Sequence, residues 1–124
     1  MDNTTPGDEA LKGDIPQEVR DLYDDASGDV ALGDLDDAIE KYRQCVKAAP
    51  TFFDGWLALG IAAMKNGLTE EAVEAGLKAV ALRPDDQMAW SSLSLFHGRN
   101  NQIPEAEAAG AKARILGWKD QLRK

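Results

Sequence analysis

Residues 53–84, FDGWLALGIAAMKNGLTEEAVEAGLKAVALRP, contain one complete pair of predicted helices. The first half places apolar side chains such as Trp56 and Leu59 at helical spacing. Gly67 then supplies the backbone freedom that ends a helix, and a second apolar helical pattern follows it. Pro84 closes the pair because proline cannot continue a helix interior. Since the connection is only a few residues long, the two helices must lie antiparallel.

The same pattern recurs every 34 residues on both sides of this stretch. The columns that share the spacing are Ala38, Ala72 and Ala106; Gly33, Gly67 and Asn101; Trp56 and Trp90; Leu59 and Leu93; Pro50 and Pro84; and Cys45, Ala79 and Ala113. We therefore predict an all-α stack of three antiparallel helix pairs. Thr69 is the expected N-cap of the second helix in the middle unit.

The predicted domain covers most of the chain. Its proposed parts are a disordered acidic tail over 1–15, a repeat domain over 16–118 with units at about 19–52, 53–86 and 87–118, and a basic tail over 119–124. We expect Pro16 to open the first helix. Trp118 stands where the earlier units close with proline, so the end of the last helix is open to question.

These residues resemble the tetratricopeptide repeat family, whose pattern includes an aromatic residue, a Leu-Gly pair, an alanine and a closing proline. The middle unit matches at Trp56, Leu59, Gly60, Ala72, Ala79 and Pro84, the third at Trp90, Leu93, Ala106 and Ala113, and the first at Leu22, Ala38, Tyr42 and Pro50. The resemblance implies that the three helix pairs form a right-handed superhelical stack, an α-solenoid, which binds other proteins.

Glycine replaces the family's second-helix aromatic residue at Gly76 and Gly110. A glycine inside a helix costs about 1 kcal/mol relative to alanine, so a packing reason is expected. We predict that the two helices of the middle unit approach closely at Ala63 and Gly76. The alternative is a small cavity there, filled by Phe96 or Met64.

In this family the first helix of each pair lines a concave groove, and helical geometry selects the side chains that face it. The predicted groove consists of Tyr23, Ser27, Val30, Asp54, Leu57, Ala58, Ile61, Met64, Lys65, Met88, Ser91, Leu95 and Arg99. The spacing of its apolar members along each helix places them on a face other than the one that packs in the core. Several exposed apolar side chains together mark an interaction surface. The alternative is that they pack on one another or on the N-terminal tail.

The leading functional hypothesis is an adaptor that binds a partner peptide or amphipathic helix in this groove. The best-known members of this family bind the C-terminal carboxylate of chaperone tails through lysine, arginine and asparagine side chains in the groove. The matching positions here carry Tyr23, Ser27, Ala58, Met88 and Ser92, so that mode is not expected. One alternative is head-to-tail self-assembly as a weak homo-oligomer, with Ile115, Leu116 and Trp118 as end-to-end contacts. Another is an accessory role in a larger secretion, pilus or envelope complex.

Charge supports the self-assembly alternative, in which the acidic N-terminal unit of one copy docks against the basic, uncapped C-terminal unit of another. The last fifteen residues hold five basic side chains and one acidic one. Residues 1–50 hold 13 acidic and 5 basic side chains, whereas 51–124 hold 9 of each, with a net charge of −8 for the whole chain. This charge argues against nucleic acid as a partner. No apolar run is long enough to span a membrane, and the polar N-terminus lacks a signal peptide's pattern, so the expected location is cytoplasmic.

Catalytic, metal and cofactor sites are not expected. His97 is the only histidine and lies at a core position, so a catalytic nucleophile activated by a histidine base is not expected. Cys45 is the only cysteine and replaces a core alanine, which predicts a buried, inert thiol. Acidic pairs such as Asp36–Asp37 and Asp85–Asp86 fall at helix starts, where carboxylates satisfy backbone N–H groups. We therefore predict a protein that is not an enzyme.

Overall fold

The computed structural model describes residues 14–123, and that part of the chain consists of six α-helices without a strand. They are α1 (Gln17–Leu32), α2 (Leu35–Ala48), α3 (Phe53–Lys65), α4 (Thr69–Leu82), α5 (Gln87–Arg99) and α6 (Ile103–Leu122). Consecutive helices pack on each other, and α3 also contacts α5. The predicted all-α stack of three helix pairs is confirmed.

The turn inside each pair uses the same left-handed residue. Gly33, Gly67 and Asn101 have φ values of 84°, 79° and 61°. The next residue then donates its backbone N–H to a carbonyl five residues earlier, at 2.8 Å in all three units. This is the bonding of a Schellman turn, which satisfies the helix's last carbonyl groups. The column of turn residues therefore marks a backbone requirement that glycine meets without strain and asparagine tolerates.

A tryptophan fixes the entry to the second and third units. The Trp56 indole N–H donates to the Pro50 carbonyl at 2.8 Å, and the Trp90 indole N–H donates to the Pro84 carbonyl at 2.7 Å. Each bond spans six residues and joins the leading helix to the proline turn that precedes it. The shared spacing of tryptophan and proline is therefore a structural brace, because an indole packed against the core still needs a partner for its N–H.

The glycines of the middle unit make room for Phe96 of the third. Phe96 is fully buried. A Cβ atom at Gly76 would lie 2.9 Å from Phe96 Cδ2, and one at Gly60 would lie 2.6 Å from Phe96 Cε2. The space beside Gly76 is thus filled by Phe96, as the alternative prediction stated. The aromatic ring of Phe96 therefore packs against both glycines and fills the interface between the second and third units.

Polar side chains also join neighbouring units. Arg43 of α2 donates to both carboxylate oxygens of Glu71 on α4, at 2.8 and 2.6 Å. Thr69 donates its hydroxyl hydrogen to Asn100 Oδ1 at 2.8 Å. The expectation that Thr69 caps α4 is wrong, because Leu68 is the N-cap residue and Thr69 is already the first residue of the helix.

The chain ends differ in part from the predicted boundaries. Pro16 is the N-cap residue of α1, as expected, and Ile15 packs on the first unit's core. Residues 1–13, most of the predicted tail, lie outside the described residues. Residues 119–122, expected to belong to a separate basic tail, continue α6 as far as Leu122. The helix continues because no proline follows Gly117, unlike the ends of the earlier units.

Candidate partner-binding groove

The predicted groove side chains lie on α1, α3 and α5, and the structure gives them different degrees of burial. Tyr23, Ser27, Val30, Ala58, Ile61 and Met64 are half-buried, whereas Asp54, Lys65, Met88, Ser91, Leu95 and Arg99 are exposed. Met88 and Leu95 keep 65% and 46% of their surface accessible. The face is therefore mixed: its half-buried part is mainly apolar, and its exposed part combines charged and polar side chains with Met88 and Leu95.

Leu57 does not belong to an open surface. It is only 8% exposed and packs in a core cluster with Phe53, Val80 and Leu93. Ile61 packs partly on the same cluster. The expectation that these side chains stand outside the core is wrong for Leu57, because α5 of the third unit packs against α3 and covers it.

Met64 is also drawn partly into the core. It packs against a cluster that contains Ala63, Val73 and Phe96, and Ile61 touches this cluster as well. Helical phase within one unit could not reveal this, since the covering atoms come from a different unit. Ile61 and Met64 thus serve the junction of the second and third units in addition to the surface that they leave open.

The same face contains a cleft of about 240 Å³ between the first and second units. Four of its lining residues were predicted for the groove, and two were not. The lining is Ser27, Val30, Tyr42, Ala58, Ile61 and Ala62. Apart from two hydroxyl groups the walls are aliphatic and aromatic carbon, and the volume suits one apolar side chain. The sequence indicates Tyr42 only as a match to the repeat pattern, and the one signal of a role in the cleft is that a buried tyrosine hydroxyl needs a polar partner.

The two hydroxyl groups in the cleft form a short chain of hydrogen bonds. Ser27 Oγ donates to the Tyr23 carbonyl at 3.0 Å, and Ser27 Oγ lies 2.9 Å from the Tyr42 hydroxyl oxygen. Since Ser27 has a single hydroxyl hydrogen, the Tyr42 hydroxyl is the donor of the second bond. The Tyr42 oxygen then keeps acceptor capacity at the cleft. Burial raises the pKa of the Tyr42 phenol, so it stays protonated at neutral pH.

Carboxylates border the groove beside the first unit. Burial raises the pKa of the Tyr23 phenol, and the neighbouring Tyr42, Asp54 and Asp24 raise it further. Asp24 and Asp54 are themselves exposed, so both charges stay in contact with water. This border is negative, whereas Lys65 and Arg99 carry positive charge near the last turns of α3 and α5. A partner segment would meet opposite charges at the two borders.

The side chains with reactive groups lie in packed surroundings. His97 is 7% exposed, and its Nδ1 lies 2.9 Å from Gln102 Oε1. Cys45 is fully buried, and its thiol donates weakly to the Val19 carbonyl at 3.6 Å. Burial raises the pKa of the Cys45 thiol, which keeps it in the unreactive protonated form. Asp86 accepts from the Ala89 backbone N–H at 2.8 Å, the capping role expected of it.

The proposed end-to-end residues lie on the long last helix. Ile115 is 48% exposed and Trp118 is 68% exposed, while Leu116 is half-buried. Among residues 14–123, no helix is both long enough and apolar enough to cross a bilayer.

Comparisons with known proteins agree with the repeat pattern of the sequence. The family model described as tetratricopeptide repeat matches residues 23–87. A search of curated protein sequences finds no match. Among solved structures, the chain is similar to MamA, with a TM-score of 0.78, 20% identity, and coverage of 83% of this chain and 60% of that one. It is similar to a chain of the CopN–Scc3 complex, with a TM-score of 0.77, 20% identity, and coverage of 81% and 59%.

A third similar structure is the second TPR of Spaghetti (RPAP3) bound to the HSP90 peptide SRMEEVD, with a TM-score of 0.75, 20% identity, and coverage of 81% and 93%. The chain spans about three-fifths of the length of the MamA and CopN–Scc3 chains. Likeness at this identity establishes the fold. Because the family model covers more than half of the sequence and the structure repeats its helix pairs, the chain belongs to the tetratricopeptide repeat family.

Proposed function

We propose that the protein is an adaptor that binds a partner segment across α1 and α3, with one apolar side chain of the partner seated in the cleft. The cleft itself carries this proposal: an opening of about 240 Å³ walled by Val30, Ala58 and Ile61 on the predicted groove face. Binding of proteins or peptides by similar folds supports it, since RPAP3 is bound to an HSP90 peptide and CopN forms a complex with Scc3.

The chemistry of the cleft suggests the partner's recognition element. An aliphatic side chain would bury apolar surface against Val30 and Ile61, the main source of affinity in such pockets. A neighbouring N–H group of the partner would donate to the Tyr42 oxygen, whose own hydrogen is engaged by Ser27. The exposed carboxylate of Asp54 favours a basic residue in the segment that continues towards the first unit.

The HSP90 peptide itself is not the expected ligand. Its sequence SRMEEVD ends in acidic residues and a carboxylate. Asp24 and Asp54 lie about one helical turn from the cleft residues Ser27 and Ala58, and the positions that resemble the carboxylate grip hold no cation. Like charges would repel such a tail. We expect no measurable binding of SRMEEVD to this chain by isothermal titration calorimetry, and micromolar binding would contradict the proposed chemistry.

A peptide library displayed on phage tests the adaptor proposal. Selected peptides are titrated into isotopically labelled protein, and NMR shift changes are mapped. We expect the largest changes at Val30, Ala58 and Ile61. Ala58→Leu should fill the cleft and weaken binding at least tenfold, about 1.4 kcal/mol. Ala81→Leu is the matched control, because Ala81 is exposed on α4, away from the cleft.

Two results would contradict groove binding: selected peptides that shift residues elsewhere, or equal affinity of Ala58→Leu and the unchanged protein. Leu57→Asp is unsuitable as a test because Leu57 is 8% exposed, and a buried unpaired charge would destabilise the fold.

Head-to-tail stacking is less well supported than partner binding. In the first two units the side chains that face the next unit are Ile39 with Val46 and Val73 with Val80, all buried. The equivalent positions of the third unit are Glu107 and Arg114, both exposed. Terminal repeats commonly carry such a polar outer face, which ends the stack. Growth through that face would remove two charged side chains from water, at a considerable cost.

A further inference from the structure

The outer face of the last helix differs most from the same face of α2, since on α4 the equivalent residues are Glu74, Leu77 and Ala81 and only the first is charged. Charged side chains cover it on α2, where Glu40, Arg43 and Lys47 are exposed. The equivalent residues on α6 are Ala108, Ala111 and Ile115, and Trp118 and Leu122 extend the apolar surface along the added turns of the helix. Ile115, Trp118 and Leu122 are 48%, 68% and 76% exposed. We call these five residues of α6 the outer stripe.

The outer stripe has the spacing of a helix-pairing seam. Its members follow one another at alternating intervals of three and four residues, which keeps them on one side of an α-helix. The buried side chains of α6, Ala109 and Ala113, lie on the opposite side and pack towards the rest of the domain. The helix has 20 residues and is about 30 Å long, and the outer stripe is its second apolar face. It lies away from the cleft, so the inference does not depend on the proposed partner binding.

The sizes of the side chains in the outer stripe make it complementary to itself in one orientation. Its first half carries small side chains, Ala108 and Ala111, and its second half carries large ones, Ile115 and Trp118. In an antiparallel pair of α6 helices centred at Ala113, Trp118 lies level with the partner's Ala108, and Ile115 lies level with the partner's Ala111. Each large side chain then fills the space above a small one. A parallel pair would place the two indole rings against each other.

Charge points to the same antiparallel arrangement. Glu105 is in the first turn of α6 and Lys119 is in its last turns, and both are exposed on the same flank of the stripe. Antiparallel pairing brings Glu105 of each copy within a turn of Lys119 of the other, on both sides of the two-fold axis. Lys112 and Arg114 flank the centre, where each lies near its own counterpart. Their long side chains extend into water, but this proximity keeps the association weak.

We infer that α6 pairs antiparallel with α6 of a second copy, forming a weak two-fold symmetric dimer through the outer stripe. The occupant of the apolar face is thus a second copy of this chain. This symmetry differs from head-to-tail stacking, because both copies contribute the same surface and the assembly closes at two. An interface limited to one helix from each copy is at the small end of specific interfaces, so dissociation is expected in the micromolar range.

Sedimentation equilibrium of the full chain tests the dimer from micromolar to near-millimolar concentration. Trp118→Glu should weaken dimerisation at least tenfold. Leu32→Glu is the matched control, since Leu32 is 78% exposed on α1 at the other end of the domain. Its dimerisation should equal that of the unchanged protein. Circular dichroism checks that both variants keep their helices.

Charge reversal tests the orientation. Glu105→Lys and Lys119→Glu should each weaken the dimer about fivefold or more, and the double variant Glu105→Lys/Lys119→Glu should restore it. An equimolar mixture of the two single variants should also dimerise better than either alone. Head-to-tail contact through the acidic first unit predicts no such rescue.

Three results would overturn the inference: a monomer at every concentration, a dimer that survives Trp118→Glu, or a double variant that dimerises no better than the single ones. If Trp118→Glu failed to fold, the charge-reversal variants would still decide, because Glu105 and Lys119 are exposed and outside the core.

Discussion

Gly76→Ala should destabilise the protein even though alanine favours helices. Gly76 lies inside α4, where alanine is about 1 kcal/mol better than glycine. The added Cβ atom would lie 2.9 Å from Phe96 Cδ2 and 3.0 Å from Leu93 Cδ1. Both neighbours are almost fully buried, so neither can swing into solvent. Overpacking of this kind costs about 1–3 kcal/mol, so the expected net loss is about 1 kcal/mol.

Gly28→Ala is the matched control for this substitution. Gly28 lies inside α1, is exposed, and has no atom within 4 Å of the position of an added Cβ. The helix preference for alanine then acts alone, and the variant should gain about 1 kcal/mol. The two glycine-to-alanine changes should differ by about 2 kcal/mol, measured as urea unfolding midpoints followed by circular dichroism. Thermal midpoints should move in opposite directions, by about 4–8 °C per kcal/mol.

Removing Phe96 should reverse the sign of the Gly76 effect. Phe96→Ala is expected to cost about 3–5 kcal/mol, because a fully buried ring is lost from the junction of two units. In that background Leu93 is the one close neighbour left among those atoms and can shift into the emptied space, so Gly76→Ala should stabilise the protein by up to about 1 kcal/mol. If Gly76→Ala stabilises the unchanged protein as much as Gly28→Ala does, or if Phe96→Ala leaves its effect unaltered, the packing argument fails.

Three further changes test other contacts. Trp56→Phe removes the indole donor to the Pro50 carbonyl and should cost about 0.5–1.5 kcal/mol in urea unfolding; no loss would mean that the brace adds nothing to stability. Asn101→Gly should raise the thermal midpoint by the equivalent of up to about 1 kcal/mol, since φ at Asn101 is 61° and glycine adopts this region without strain; a lowered midpoint would count against the turn argument. Hydrogen bonds from Arg43 hold the pKa of Glu71 below its ordinary value near 4.5. The stability gained from this pair is present above that value and is lost as pH falls through the lower folded-state pKa. Unfolding midpoints measured from neutral pH to about 3 should show a smaller acid loss in Glu71→Gln, and an identical pH profile would refute this contribution.

The groove shows where sequence reasoning succeeds and where it stops. Helical phase placed Ser27, Val30, Ala58 and Ile61 on one face, and the cleft brings these four together. The same phase put Leu57 on that face, but α5 covers it. Phase describes one helix at a time, whereas burial depends on the neighbouring helix and its distance.

The sequence by itself determined the repeat and the local backbone structure of its units: three helix pairs, the left-handed turns at Gly33, Gly67 and Asn101, and the closing prolines. These features follow from backbone sterics and short-range periodicity, which act within a few residues. The seating of Phe96 on the middle unit's glycines was decided only when distant residues met. So was the cleft, because its volume is the space left between packed helices, and no single segment encodes that space.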